Sequence, residues 1–253
     1  MFNDGCTVLS WKTKDTNFLA QNWDWEQEQK ENLINLRICQ PGKPSIDMIS
    51  EAGIIGKIGL NSAGVGVCLN AIRAKGVDFG KLPCHLALRA CLDSSSREEA
   101  VKTLQKAGVA SAAHFTVADP SGGIGLECSY TDIVVLPMPS NGILTHTNHF
   151  IKEHPGVEEK PQWQDSLVRL PRIGKLMETA EPSLENVASL LKNEEGLPTA
   201  ICRDQTHDST VATLFSIRMD LGKRIAEVTV GRPVQPEEHL KLAPGSLQAN
   251  GGA

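Results

Sequence analysis

Up to Ala71 the chain alternates short apolar runs with turn residues. The runs Cys6–Ser10, Phe18–Trp23, Asn32–Cys39, Ile54–Leu60 and Gly64–Ala71 are too short for core helices and read as strands. Turn residues such as Pro41-Gly42-Lys43-Pro44 separate them. The period then lengthens. Leu82–Leu92 and Glu98–Ala107 predict two helices, the second opened by Ser94–Ser96, whose hydroxyls suit the unpaired amides of a first helical turn. Strand patterns resume at Ser111–Ala118, Gly123–Glu127, Asp132–Leu136 and Gly142–Thr145, followed by a polar segment, Lys152–Gln162. Two further helices are expected at Gln164–Glu178 and Ser183–Lys192, the latter with Ser183 as cap and Asn186 three residues on. Val211–Met219 and Ile225–Val230 predict a hairpin across Asp220–Arg224. Beyond Pro233 the chain is rich in Pro, Gly and charge, and residues 241–253 are expected to be disordered.

Blocks of strands, helices and strands again specify an α+β layered fold, not a parallel βαβ array. No internal repeat or linker divides the chain, so residues 1–253 are read as one domain. Composition changes little: 253 residues, 40% hydrophobic and 22% charged, are ordinary for a soluble domain with a sizeable core. The net charge of -5 argues against a nucleic-acid surface. No apolar stretch approaches the roughly 20 residues of a membrane span. Met1–Gly5 lacks the basic start and apolar run of a signal peptide. Seven scattered cysteines, none in a Cys-x-x-Cys pair, suggest reduced thiols and a cytoplasmic setting rather than a disulfide framework. Gly53-Ile54-Ile55-Gly56-Lys57-Ile58 has glycines too close together for a phosphate loop, and no Ser or Thr follows the lysine.

Chemistry concentrates around Cys6. In Asp4-Gly5-Cys6-Thr7 the glycine permits backbone geometries needed to distort and break the Gly5–Cys6 bond. Cleavage there would give Cys6 a free α-amine, which titrates near pH 8, beside a thiol that titrates near 8.5. One residue then carries both nucleophile and base. Asp24, in Gln21-Asn22-Trp23-Asp24-Trp25, falls on the next strand and is a candidate to orient that amine; the alternative is a plain strand end with a turn. Asn148, in Thr145-His146-Thr147-Asn148-His149, is a candidate donor to a tetrahedral oxyanion. His146 and His149 have metal-like spacing but no third ligand nearby in sequence, so no metal or other cofactor is expected. Asn70 ends a strand run as a second polar candidate, with an Asx turn as its alternative. A papain-like reading would need His114, His146 or His149 as base, and the sequence around Cys6 does not fit it.

The chain resembles peptidase family C45, the acyl-coenzyme A:6-aminopenicillanic acid (isopenicillin N) acyltransferases, in their β-subunit region. Besides the Cys6, Asp24 and Asn148 motifs, the likeness is carried by Lys30-Glu31-Asn32-Leu33-Ile34, Glu51-Ala52-Gly53-Ile54-Ile55-Gly56-Lys57, Asn61-Ser62-Ala63-Gly64-Val65, Ile201-Cys202-Arg203, Thr213-Leu214-Phe215 and Gly231-Arg232-Pro233. The resemblance implies an N-terminal-nucleophile hydrolase αββα four-layer sandwich and self-cleavage at Gly5–Cys6. It makes Cys6 the nucleophile, Asp24 the orienting acid and Asn148 the oxyanion donor. Asn70 and Ser209 fall near the substrate pocket. The implied substrate is a small-molecule amide or an acyl-coenzyme A, cleaved through an acyl-enzyme. There are three departures. Only five residues precede Cys6, where the family carries a long α segment, so a truncated or non-catalytic chain needing a separate α segment is the alternative expectation. Thr210 stands at the position of a family arginine, which removes a cation suited to a substrate carboxylate. The peroxisomal C-terminal signal of the family is absent, and the chain ends Gly251-Gly252-Ala253.

Overall fold

Strand β1 (Thr7–Lys12) shows how alternation builds the layers. Val8 enters one hydrophobic core, shared with Leu19, Val67 and Phe115, while Leu9 and Trp11 enter a second, shared with Ile173, Val187 and Leu191. Successive side chains of a strand point to opposite faces, so a strand buried on both faces reads as a continuous apolar run. β2 (Asn17–Glu26) does the same: Leu19 and Trp23 join the first core, Phe18 and Ala20 the second.

The computed structural model describes residues 5–160, 164–205 and 209–245. One sheet holds six strands in the order β10 (Ile143–His146), β1, β2, β11 (Val211–Asp220), β12 (Ile225–Arg232) and β13 (Gln235–Leu242). The other holds seven: β3 (Leu33–Ile38), β4 (Ile46–Glu51), β5 (Ile58–Asn61), β6 (Gly66–Ala71), β7 (Ala113–Asp119), β8 (Gly122–Cys128) and β9 (Ile133–Pro137). All strand pairings within the two sheets are antiparallel. The sheets face each other through contacts of β1 and β2 with β6, β7 and β8. Gly66 lets them close: a Cβ there would lie 2.8 Å from Leu221 Cδ2 and 3.1 Å from Leu19 Cδ2.

Helices cover the outer faces. α1 (Cys84–Leu92) and α2 (Arg97–Ala107) pack on the seven-stranded sheet. α3 (Gln164–Glu178) and α4 (Leu184–Leu191) pack on the six-stranded sheet. The layers therefore run α, β, β, α, as expected. Ser96 Oγ accepts from Glu99 N at 3.1 Å, and Glu99 Oε2 accepts from Ser95 N at 2.7 Å, a reciprocal cap. Ser183 Oγ accepts from Asn186 N at 3.0 Å and opens α4 as its spacing predicts.

Three stretches differ from the sequence reading. β4 fell in an unassigned stretch because Asp47 and Ser50 interrupt its apolar residues; Asp47 is nonetheless buried, held by Arg37 at 2.5 and 2.6 Å. The Ile54–Leu60 run is a strand only from Ile58, after a turn. β13 lies beyond Pro233, in the segment rich in Pro, Gly and charge whose end is expected to be disordered. It is an edge strand with charged, exposed residues, the usual protection of a sheet edge, and so it carries no apolar period. Lys241 and Leu242, expected to be disordered, belong to β13, and Leu242 is buried; residues 246–253 lie outside the described residues, as do residues 161–163 near the polar segment.

Candidate active site

Register brings the candidates together. Thr7 pairs with Asn22, and Val8 pairs with His146 on the other side of β1. Continued past the start of β1, these ladders carry Asp24 alongside the Gly5–Cys6 bond and Asn148 alongside Cys6. Cys6 is fully buried and faces the inter-sheet core. Its amide N donates to Asn148 Oδ1 at 2.8 Å, and its Sγ lies 3.8 Å from the Asp24 backbone oxygen. From the opposite sheet, Asn70 Nδ2 donates to the Cys6 carbonyl at 3.1 Å. The sequence alternative of a simple Asx turn at Asn70 gives way to a contact spanning both sheets.

Helix α3 supplies a residue that sequence reasoning passed over. Arg169 Nη1 donates to the Cys6 carbonyl at 2.8 Å and to Thr7 Oγ1 at 3.0 Å, and its Nη2 donates to Asn148 Oδ1 at 2.9 Å. Asn148 Nδ2 donates to Ala71 O at 3.1 Å, so the carboxamide is fixed end to end: oxygen toward Cys6 and Arg169, nitrogen toward Ala71. Asn148 N donates to Ser166 Oγ at 2.7 Å. The available signal was a period: Ser166, Arg169, Ile173 and Met177 are the buried stripe of α3, with an arginine among apolar positions.

A second buried arginine, Arg203, closes the site on the side of the scissile bond. A Cβ added to Gly5 would collide with Arg203 Nη1 and lie 2.8 Å from its Cζ, so any larger residue there would displace this guanidinium. Asp165 Oδ2 balances both cations, at 2.7 Å from Arg203 and 3.4 Å from Arg169. Thr213 Oγ1 donates to Asp24 Oδ1 at 2.7 Å and accepts from Arg203 N at 2.9 Å. Asp24 Oδ2 has no hydrogen-bond partner among the described residues. Burial pushes the Asp24 carboxyl up to about 7, against the pull of Arg203, Arg169 and the Thr213 hydroxyl.

A cavity of about 530 Å³ is walled by Trp23, Leu69 and Ala71, the chain neighbours of Asp24 and Asn70. Trp25 and Ile54 extend the apolar wall, and Trp23 Nε1 has no partner among the described residues. Lys57 also lines it, nearly buried, bonded to Glu51 at 2.6 and 2.8 Å and lying 3.9 Å over the Trp23 ring. Burial lowers the Lys57 pKa, while Glu51 and nearby Cys6 favour its charge.

Other candidates sit elsewhere. Ser209 is buried and bonds the Val211 backbone; Thr210 is exposed, with its carbonyl accepting from Gln27 N at 2.9 Å. Both lie just before β11, at the Glu26 end of β2. Asp4 of the cleavage motif is outside the described residues. His114 bonds Asn70, His146 bonds Glu127, and His149 bonds Ser166, so each ring is engaged away from a papain-like role. Burial and His146 push His149 down to about 4. Among the described residues, no group of three or more His, Cys, Asp or Glu is arranged to hold a metal ion, and no helix is long and apolar enough to cross a membrane. None of the seven cysteines forms a disulfide.

Comparison with known proteins places this geometry in context. The family model for acyl-coenzyme A:6-aminopenicillanic acid acyl-transferases matches residues 11–235. The 40 kDa form of the acyl-coenzyme A:6-aminopenicillanic-acid-acyltransferase of Emericella nidulans is 42% identical over 247 residues, covering 96% of this chain and 69% of that protein. Among solved structures, the fold is similar to a mutant form of a conjugated bile acid hydrolase from Clostridium perfringens (TM-score 0.64, 16% identity, 94% of this chain and 92% of that one). It is also similar to the Caenorhabditis elegans ortholog of N-acylethanolamine-hydrolyzing acid amidase (TM-score 0.63, 16% identity, 86% and 93%). A penicillin V acylase from Agrobacterium tumefaciens shows the same fold at 13% identity (TM-score 0.63, 94% and 86%). The fold is thus that of the N-terminal-nucleophile hydrolases, and the chain belongs to the acyl-coenzyme A:6-aminopenicillanic acid acyl-transferase family.

Proposed function

We propose that this chain is a cysteine-nucleophile acyl-transfer enzyme that acts on an amide or thioester after breaking its own Gly5–Cys6 bond. In the processing step Cys6 Sγ adds to the Gly5 carbonyl carbon. The C–N bond breaks, the nitrogen gains a proton and becomes the α-amine of Cys6, and a thioester forms. Water then hydrolyses the thioester, leaving a carboxylate on Gly5 and a free thiol. In turnover the α-amine takes the thiol proton, Sγ adds to the substrate carbonyl, and the leaving amine or thiol departs protonated. Water or an acceptor amine then takes the acyl group from Cys6. Asn148 is the proposed oxyanion donor, through the N–H of its Nδ2 that is not given to Ala71 O, and Asp24 the acid that orients the new ammonium.

The observation that carries this reading is the convergence of Asn148, Asn70 and Arg169 on the backbone of one buried cysteine. Three polar side chains at one residue's amide and carbonyl fix its orientation, as a nucleophile requires and a packing cysteine does not. The free Oδ2 of Asp24 adds an acceptor for an ammonium group. The mostly apolar cavity beside the site suits the acyl chain, and the Trp23 N–H suits an acceptor oxygen on it.

Intact mass of the purified protein tests the first step: the wild type is expected to begin at Cys6 and Cys6→Ala to retain Gly5. A folded, active wild type that still carries Gly5 would refute the mechanism. For turnover, processed Asn148→Ala is expected to lose about 100- to 1,000-fold in kcat. A near-normal rate would remove Asn148 from the site.

A further inference from the structure

Behind Asn70 lies a buried polar chain that the proposed reaction does not use. Asn70 Nδ2 points at the Cys6 carbonyl, so its Oδ1 can only accept, and it accepts from His114 Nδ1 at 3.1 Å. The His114 ring is fully buried and lies flat on His146, with centroids 3.5 Å apart and planes 9° from parallel. Both His146 nitrogens face acceptors: Nδ1 meets Thr147 O at 2.8 Å and Nε2 meets Glu127 Oε1 at 2.8 Å. Glu127 in turn accepts from Ile151 N at 2.5 Å and Lys152 N at 3.0 Å, and these contacts hold its carboxyl below the usual range against burial.

We propose that His114 is a positioning residue for Cys6, acting through Asn70: its Nδ1–H locks the Asn70 carboxamide in the one orientation that presents Nδ2 to the Cys6 carbonyl. This rests on Cys6 being the reacting residue. A carboxamide is nearly symmetric in shape. Turned by 180°, Asn70 would set its oxygen against the Cys6 oxygen and its NH2 against the His114 N–H, so a donor at the far end reinforces the one orientation. His114 serves in this role only with a proton on Nδ1. Burial and the stacked His146 both push its pKa well down, so the ring favours the neutral form and its tautomer decides the role. The groups facing it are Asn70 and His146, with Glu127 and His149 beyond His146. Its Nε2 has no partner among the described residues. A buried nitrogen left unpaired is unfavourable, and a phenylalanine would fill the same stack without one. The bond to Asn70 is what a histidine adds.

The test compares His114→Phe, His114→Gln, Asn70→Ala and the His114→Phe/Asn70→Ala double variant in the full chain. Kinetics use a simple acyl amide, and histidine ring nitrogens are followed by 15N NMR. His114→Phe keeps a flat ring but loses the donor. It is expected to lower kcat about tenfold with KM nearly unchanged, in line with one lost hydrogen bond. His114→Gln offers an amide donor and is expected to recover most of that loss. The double variant is expected to fall no further than Asn70→Ala, because His114 acts through Asn70. Wild-type kcat in folded His114→Phe, or losses that multiply in the double variant, would overturn the proposal. The NMR arm needs no turnover: near neutral pH His114 should carry its ring proton on Nδ1. A neutral His114 protonated at Nε2 overturns the proposal whatever the kinetics. A wild type without turnover, or an active Cys6→Ala, would instead count against the catalytic reading, leaving the NMR result to decide the role of His114.

Discussion

Asp24 is a carboxyl whose burial opposes ionisation more strongly than two guanidinium groups favour it. Its raised value has a thermodynamic consequence. Between about 4 and 7 the folded chain holds a proton that the unfolded chain has released, so this residue makes stability fall as pH rises through that window and level off above it. The difference across the window is about 4 kcal/mol at full burial. The clean measurement uses the unprocessed Cys6→Ala chain, because a new ammonium group would draw the Asp24 pKa down again. Urea unfolding at pH 5 and pH 8 should show the decline, and adding Asp24→Asn should flatten it and raise stability at pH 8. A decline of the same size in the chain that also carries Asp24→Asn would mean that another group titrates there. In processed enzyme the same substitution leaves the ammonium without its acid and is expected to lower kcat.

At the scale of elements, the site depends on α3 as much as on any strand. Arg169 spans from the helix to the Cys6 carbonyl and to Asn148, while Asp165, one turn earlier, neutralises it together with Arg203. Arg169→Met keeps a straight apolar stem, removes the donors and leaves Asp165 paired with Arg203. Loss of one member of a buried ionic cluster is commonly strongly destabilising, but here the remaining pair is intact. The expected outcome is a folded protein whose self-processing is slowed about tenfold or more, as for a lost charge-assisted hydrogen bond. Intact mass against time after synthesis reads this directly, with circular dichroism to confirm the fold. Processing at the wild-type rate would reduce Arg169 to a packing role.

The whole molecule decides which substrates meet Cys6. Two other arginines, Arg203 and Arg218, are candidates to replace the cation that the family resemblance places at position 210. Arg203 is sealed between Gly5 and Asp165, and Arg218 pairs with Glu227 farther along β11, opposite Ala20. Lys57 is committed to Glu51. With none of these offered to a substrate carboxylate, use of 6-aminopenicillanic acid is expected to be weak beside hydrolysis of simple acyl amides. Efficient penicillin formation from an acyl-coenzyme A by the unaltered chain would sink this expectation.

Period and capping chemistry act over a few residues, and those features were legible in the sequence alone. They include the four helices, most of the strands, the Ser96 and Ser183 caps, and the Cys6, Asp24 and Asn148 motifs. Strand β4, broken by Asp47, and strand β13, polar because it is an edge, have no local signal: partners across the sheet make them strands. The same holds within the site. Arg169, Arg203 and His114 lie 163, 197 and 108 positions from Cys6 in the chain, and each is an ordinary residue of its own segment. What makes them part of the site is the register of antiparallel ladders and the packing of α3, which bring distant polar groups into one buried volume. There an unpaired donor or charge is costly, so most of their partners are fixed by the fold as a whole.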